Sequence, residues 1–154
     1  METRVSSAAD MRELGRRAAH ALRAGDLVVV SGALGSGKTT FVQGIGEGLH
    51  VRGAVTSPTF IIARVHPPLG DGPPLVHVDA YRLAGIAEVE DLDLEASLDD
   101  AVTVVEWGEG LVEGLADERL EIEIGRGDMG DSDEERRVRL TGIGRRWTAE
   151  PAIA

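Results

Sequence analysis

The chain has 154 residues, 42% of them apolar and 28% charged, with 27 acidic against 16 basic side chains and a formal net charge of -11. That length fits one domain with a real hydrophobic core and leaves no spare domain, and the negative balance opposes direct binding to a polyphosphate backbone, which demands clustered Lys and Arg. The lack of cysteine excludes disulfides and thiolate metal sites; with no apolar run near the roughly 20 residues of a membrane span and no apolar signal-peptide core in METRVSSAADMRELG, a cytoplasmic protein without a membrane partner is expected.

Ser7 followed by Asp10 resembles a capping box, and Met11, Leu14, Ala18 and Leu22 then recur at helical spacing, so a first helix is expected to end at Gly25. Leu27 to Val30 is a continuous apolar, β-branched run, as in a strand buried on both faces of a parallel sheet. A glycine-rich turn follows, then a second helix from about Lys38 to Leu49. TFIIARV and LVHVD read as strands on either side of HPPLGDGPP, which is too rich in Pro and Gly to be regular and is expected to be mobile. Next comes an acidic, Leu-spaced segment in which Glu88, Glu90, Asp91, Asp93, Glu95, Asp99 and Asp100 lie together with no base among them. It is either a solvated face or a docking surface for a basic partner. AVTVVEW is a further buried strand; RLEIEIG and RRVRLTG alternate with period two and should pair as an antiparallel hairpin at the sheet edge. One domain is expected over 1–144, with RRWTAEPAIA, 145–154, a loosely held tail.

This order of elements predicts an α/β fold with a mostly parallel central sheet, the hairpin at its edge, and ligand bound beyond the carboxyl ends of the strands. Gly32, four residues, then Gly37, Lys38 and Thr39 satisfy G-x-x-x-x-G-K-[ST], the P-loop motif, between the strand and helix that it requires. The glycines let backbone N–H groups curl around phosphate oxygens while the helix N-terminus adds partial positive charge. ATP would therefore be held by Gly32, Ala33, Leu34, Gly35, Ser36, Gly37, Lys38, Thr39 and Thr40. In this scheme Lys38 neutralises phosphate charge and the Thr39 hydroxyl ligates Mg²⁺. A P-loop also needs acids to hold the metal and orient water, and two apolar strands end in one: Asp79 closes LVHVD and Glu106 closes VTVVE.

GALGSGKTTF is followed, in order and at short intervals, by TSPTF, HVDAYRL and VEWGE. This set resembles the TsaE family, small bacterial ATPases of the threonylcarbamoyladenosine tRNA-modification pathway, and the resemblance covers nearly the whole chain. It implies a P-loop NTPase fold and ATP hydrolysis that supports the TsaB and TsaD proteins in modifying the adenosine next to the tRNA anticodon, with tRNA met only through that complex. Carried over residue by residue, the resemblance makes Thr39 and Glu106 the protein ligands of Mg²⁺ and Asp79 a second acid that orients water or metal. Ser57, Pro58 and Thr59 resemble a switch loop that senses the γ-phosphate, and Thr59 joins Lys38, Asp79 and Glu106 as a catalytic candidate. The first helix would lie near the adenine, which makes Ser7 a contact. Ser36 stands where the family often has Ala and Gly108 where Pro is common; neither departure removes a functional group.

Some residues near these motifs have a blander reading. His77 alternates with apolar neighbours, as a buried, hydrogen-bonded imidazole does. Tyr81, Arg82 and Trp107 follow closely on the two acids, but a large aromatic in a chain with so few is more often packed in a core than stacked on a base. A small-metabolite kinase would use the same P-loop but should carry an Arg-bearing lid, and the lid-sized loop from His66 to Pro74 has neither Arg nor Lys. A guanine-specific switch would carry N-K-x-D, which is absent. A non-catalytic nucleotide-dependent binding module is the remaining alternative.

Overall fold

The computed structural model describes residues 1–33, 35–53, 55, 63–79, 99–106, 118–126 and 135–147. Among the described residues, seven strands and two helices follow one another as β1 (Glu2–Val5), α1 (Ala8–Ala19), β2 (Leu27–Gly32), α2 (Lys38–Gly48), β3 (Ala63–His66), β4 (Leu75–Asp79), β5 (Val102–Glu106), β6 (Arg119–Arg126) and β7 (Arg136–Ile143), closed by a 3-10 turn, Arg145–Trp147. The strands form one sheet in the order β1-β7-β6-β2-β5-β4-β3. β2 pairs parallel with both β5 and β6, and β5 pairs parallel with β4. The flanking pairs β3–β4, β6–β7 and β1–β7 are antiparallel. The fold is α/β, with a mixed sheet that is parallel at its centre.

Several expectations need correction. The β6–β7 hairpin forms, but it is not the edge: β1 adds outside β7, with Glu2 opposite Arg139 and Val5 opposite Arg136. Only Val5 of that strand is buried, so ETRV has no apolar alternation to announce it. The segment from Arg145 is not loose throughout, because Trp147 joins the hydrophobic core and Arg146 pairs with buried Asp26 at 3.0 Å. The Pro- and Gly-rich loop after β3 is irregular as expected but tied down, Arg52 N donating to Pro67 O at 2.7 Å and Leu69 N to His50 O at 2.9 Å.

α1 begins where its sequence says: Ser7 Oγ accepts from Asp10 N at 3.1 Å, supplying one partner for the unpaired N–H groups of the first turn. The helix ends at Ala19 rather than at Gly25, which, with φ of 97°, instead turns the chain into β2. Met11, Leu14 and Ala18 face Phe41, Val42 and Ile45 of α2 and, beneath them, Val28 and Val30. Each such side chain contributes about 1.5–3 kcal/mol through burial. The helices meet backbone to backbone. A Cβ on Gly15 would lie 2.2 Å from Phe41 O, and one on Gly44 2.0 Å from Arg12 O, so both positions require glycine. This contact fixes the start of α1 beside the start of α2.

Candidate functional site

β2 ends at Gly32, and the chain reverses into α2 through Gly35 (φ 77°) and Gly37 (φ 105°), conformations that cost a residue with a side chain. Gly32 is required for a different reason: a Cβ there would approach Ile124 O to 2.6 Å and Ser36 Oγ to 2.7 Å. Lys38, the first residue of α2, folds back beneath this turn. Its Nζ donates to the carbonyls of Gly32 and Ala33, both at 2.9 Å, and reaches Ser36 Oγ at 3.5 Å. Only 5% of the residue is exposed. Burial lowers its pKa from 10.5, opposed by the negative charges of Glu106 and Asp79. A desolvated cation under a concave turn at a helix N-terminus makes an anion-binding environment.

The period of two along a strand decides what else faces this turn. Val28 and Val30 of β2, Leu75 of β4, and Val102 and Val104 of β5 lie in the core shared with α2. Continuing each alternation brings His77 and Asp79 on β4 and Glu106 on β5 to the same side. Asp79 and Glu106 are direct partners across the parallel pair, at 8% and 3% exposure. Glu106 is the hub: its Oε1 accepts from the Thr39 hydroxyl at 3.1 Å, and its Oε2 is hydrogen-bonded to His77 Nε2. Thr39 follows Lys38 on α2, so one helical turn presents both the cation and the hydroxyl.

A cavity of about 240 Å³ opens beside the turn, lined by Ser7, Ala8 and Met11 of the α1 end, by Gly35, Ser36, Gly37 and Thr40, and by Arg136. Ser7 stands at this wall, although its hydroxyl is already engaged in capping α1. Arg136 escaped the sequence reading. It lies at the start of β7, where its Nε donates to Ser36 O at 3.2 Å and its Nη1 to Glu135 O at 2.9 Å. Nothing in RRVRL separates it from its basic neighbours; only the β6–β7 pairing carries it back to a turn a hundred positions earlier.

The predicted site residues Gly32, Ala33, Gly35, Ser36, Gly37, Lys38, Thr39 and Thr40 thus gather with Asp79 and Glu106 at the carboxyl ends of β2, β4 and β5. Leu34, Ser57, Pro58, Thr59, Tyr81, Arg82, Trp107, Gly108 and the acids from Glu88 to Glu95 lie outside the described residues; Asp99 and Asp100 are described and exposed. Among the described residues, no group of three or more His, Asp or Glu side chains is arranged to hold a metal by itself.

Fold and site together define an α/β protein with a glycine-rich loop and a buried lysine set against acid-tipped parallel strands. Comparison with known proteins makes that class specific. The family model for "Threonylcarbamoyl adenosine biosynthesis protein TsaE" matches residues 5–138. The tRNA threonylcarbamoyladenosine biosynthesis protein TsaE of Streptomyces coelicolor is 66% identical over 145 residues, covering 93% of this chain and 98% of that protein. The protein of the same name from Bacillus subtilis is 36% identical over 149 residues, 96% and 89% of the two chains. The crystal structure of Bacillus subtilis YdiB superposes with a TM-score of 0.74 at 32% identity, covering 96% of this chain and 88% of that one. The chain belongs to the TsaE family.

Proposed function

We propose that this protein is a P-loop NTPase that binds ATP with Mg²⁺ at the Gly32–Thr40 turn and hydrolyses it in support of tRNA threonylcarbamoyladenosine biosynthesis in the cytoplasm. The observation that carries the reading is Lys38, buried beneath the glycine-rich turn, with the Thr39–Glu106 contact of 3.1 Å beside it. Lys38 neutralises charge on the β- and γ-phosphates. The Thr39 hydroxyl and the Glu106 carboxylate are hard oxygen donors, few enough to leave positions for phosphate oxygens and water, which is the coordination that Mg²⁺ prefers. Thr39 and Glu106 would hold the ion, whose chemistry there would be to neutralise charge on the phosphate oxygens. Asp79, beside Glu106 on the neighbouring strand, orients the attacking water. That water forms the new bond to the γ-phosphorus as the bond to the β-phosphate oxygen breaks, and its proton leaves for solvent or phosphate.

Turnover by the isolated chain is slow in this reading, because catalysis by positioning needs the γ-phosphate enclosed and water excluded. TsaB and TsaD complete the enclosure, over a surface that includes the Ser57–Thr59 segment and the acids from Glu88 to Asp100. Release of the γ-phosphate then changes that contact and drives a cycle in the partners. The net charge of -11 keeps tRNA from the isolated protein, so tRNA is met through the complex. Nucleotide turnover measured with and without purified TsaB and TsaD tests this, with stimulation expected. Efficient phosphate transfer to a small metabolite without partners, or tight tRNA binding by the chain alone near physiological salt, overturns it.

A further inference from the structure

His77 is fully buried in the middle of β4 and is a register partner of Val104, two residues before Glu106 on β5. Its ring reaches diagonally across the parallel pair so that Nε2 meets Glu106 Oε2. A carboxylate oxygen only accepts, so Nε2 carries the hydrogen and His77 donates. The other ring nitrogen, Nδ1, is buried and has no hydrogen-bond partner among the described residues. A polar ring placed in a core with one nitrogen unsatisfied costs stability. Among the described residues, the contact with Glu106 is therefore the one polar role that the position serves.

The Glu106 carboxylate has a second contact, with the Thr39 hydroxyl on α2 at 3.1 Å. The terminal torsion of a glutamate is broad and settles on no single orientation by itself. Here a donor from β4 and a donor from α2 grip the group from two sides. The hydrogen bond from His77 engages Oε2, and the Thr39 hydroxyl lies nearer Oε1, at 3.1 Å, than Oε2, at 3.5 Å.

We infer that His77 is a positioning residue for the nucleotide-bound Mg²⁺: by holding Glu106 Oε2 it fixes the carboxylate so that Oε1 and the Thr39 hydroxyl face the ion together. The inference rests on the proposed Mg²⁺–ATP site and deepens it. His77 touches neither nucleotide nor metal and acts only through Glu106. Partners that orient a metal-ligating carboxylate typically change metal affinity about 10–100-fold when removed.

The test is a Mg²⁺ titration of nucleotide binding, read with a fluorescent ATP analogue, beside binding of the same analogue in excess chelator. His77→Leu fills the space without a donor, whereas His77→Gln returns an N–H close to the position of Nε2. The expected result is a half-saturating Mg²⁺ concentration raised about 10–100-fold in His77→Leu, unchanged binding in chelator, and recovery of most of the shift in His77→Gln. Should thermal unfolding show that His77→Leu does not fold, His77→Asn replaces it, since its amide is one methylene too short to reach Glu106. Equal Mg²⁺ dependence in the variants with and without a reaching donor overturns the inference and leaves His77 a packing residue. An unsubstituted protein that binds nucleotide with no Mg²⁺ dependence overturns the underlying site reading itself, which the same titration reveals before any variant is made.

Discussion

β4 and β5 are buried at every position and end in Asp79 and Glu106, whereas the charges of β1, β6 and β7 are exposed or only partly buried. On that flank Arg139, with 60% of its side chain exposed, pairs with Glu2 at 3.2 Å and with Glu123 at 3.7 Å. Exposed pairs of this kind are typically worth about 0–1 kcal/mol and weaken with salt. In the centre the same chemistry is costly, because a buried charge must recover its lost hydration through close partners. Lys38 and Glu106 do so through loop carbonyls, Thr39 and His77. The contrast separates charges that the fold leaves in solvent from charges that it buries at a cost to stability.

The most severe way to test that contrast is Lys38→Ala. We expect ATP hydrolysis to fall about 10²–10³-fold, as when a transition-state donor is lost, while the melting temperature does not fall, since a buried charge has gone. Unchanged turnover would remove the phosphate-site reading. The two acids divide next. Glu106→Ala should raise the Mg²⁺ concentration needed for nucleotide binding at least about tenfold, and Asp79→Ala should mainly slow hydrolysis at saturating Mg²⁺. The opposite pattern exchanges their roles.

A smaller effect comes from pH. Burial lowers the Lys38 pKa from 10.5 in the free protein, and phosphate binding restores a charge partner, so binding takes up protons as the alkaline range is approached. Nucleotide affinity should therefore decline with rising pH from a point below 10.5. Lys38→Arg, charged throughout because the guanidinium pKa exceeds about 12, should be flat over the same window in isothermal titration. The smallest effect is predicted on the flank: Arg139→Ala should cost less than about 1 kcal/mol in denaturant unfolding, and less still at high salt. A larger loss there would erase the distinction between the two regions.

What the sequence made legible follows the same division. Leu27 to Val30 and VTVVE read as buried strands and LVHVD as a strand, and the glycines, Lys38 and Thr39 are local in sequence, so their grouping could be read without tertiary knowledge. Asp79 and Glu106 could be placed because a strand that ends in a carboxylate puts it at the ligand end of the sheet. β1 was illegible: ETRV is held by backbone pairing with β7 and buries only Val5. Trp147 sits in RRWT, where flanking arginines conceal a core residue; Arg146 then turns to Asp26 and stacks 4.2 Å from the Trp147 ring centre. Arg136 and the His77–Glu106 contact depend on strand order and register, which periodicity alone does not supply.

The backbone contact at Gly15 and Gly44 has a mechanical consequence. Side chains between two helices act as a compliant layer that can repack when one helix tilts, and here that layer is missing at the crossing. α1 and α2 must therefore turn as one stiff body, with Ser7 at one forward end and Lys38 at the other. Strain on the glycine turn would be transmitted with little slack to the wall of the neighbouring cavity. Widening that cavity pulls in return on the first residue of α2. A ligand in the proposed site would then be felt at both ends by a single lever.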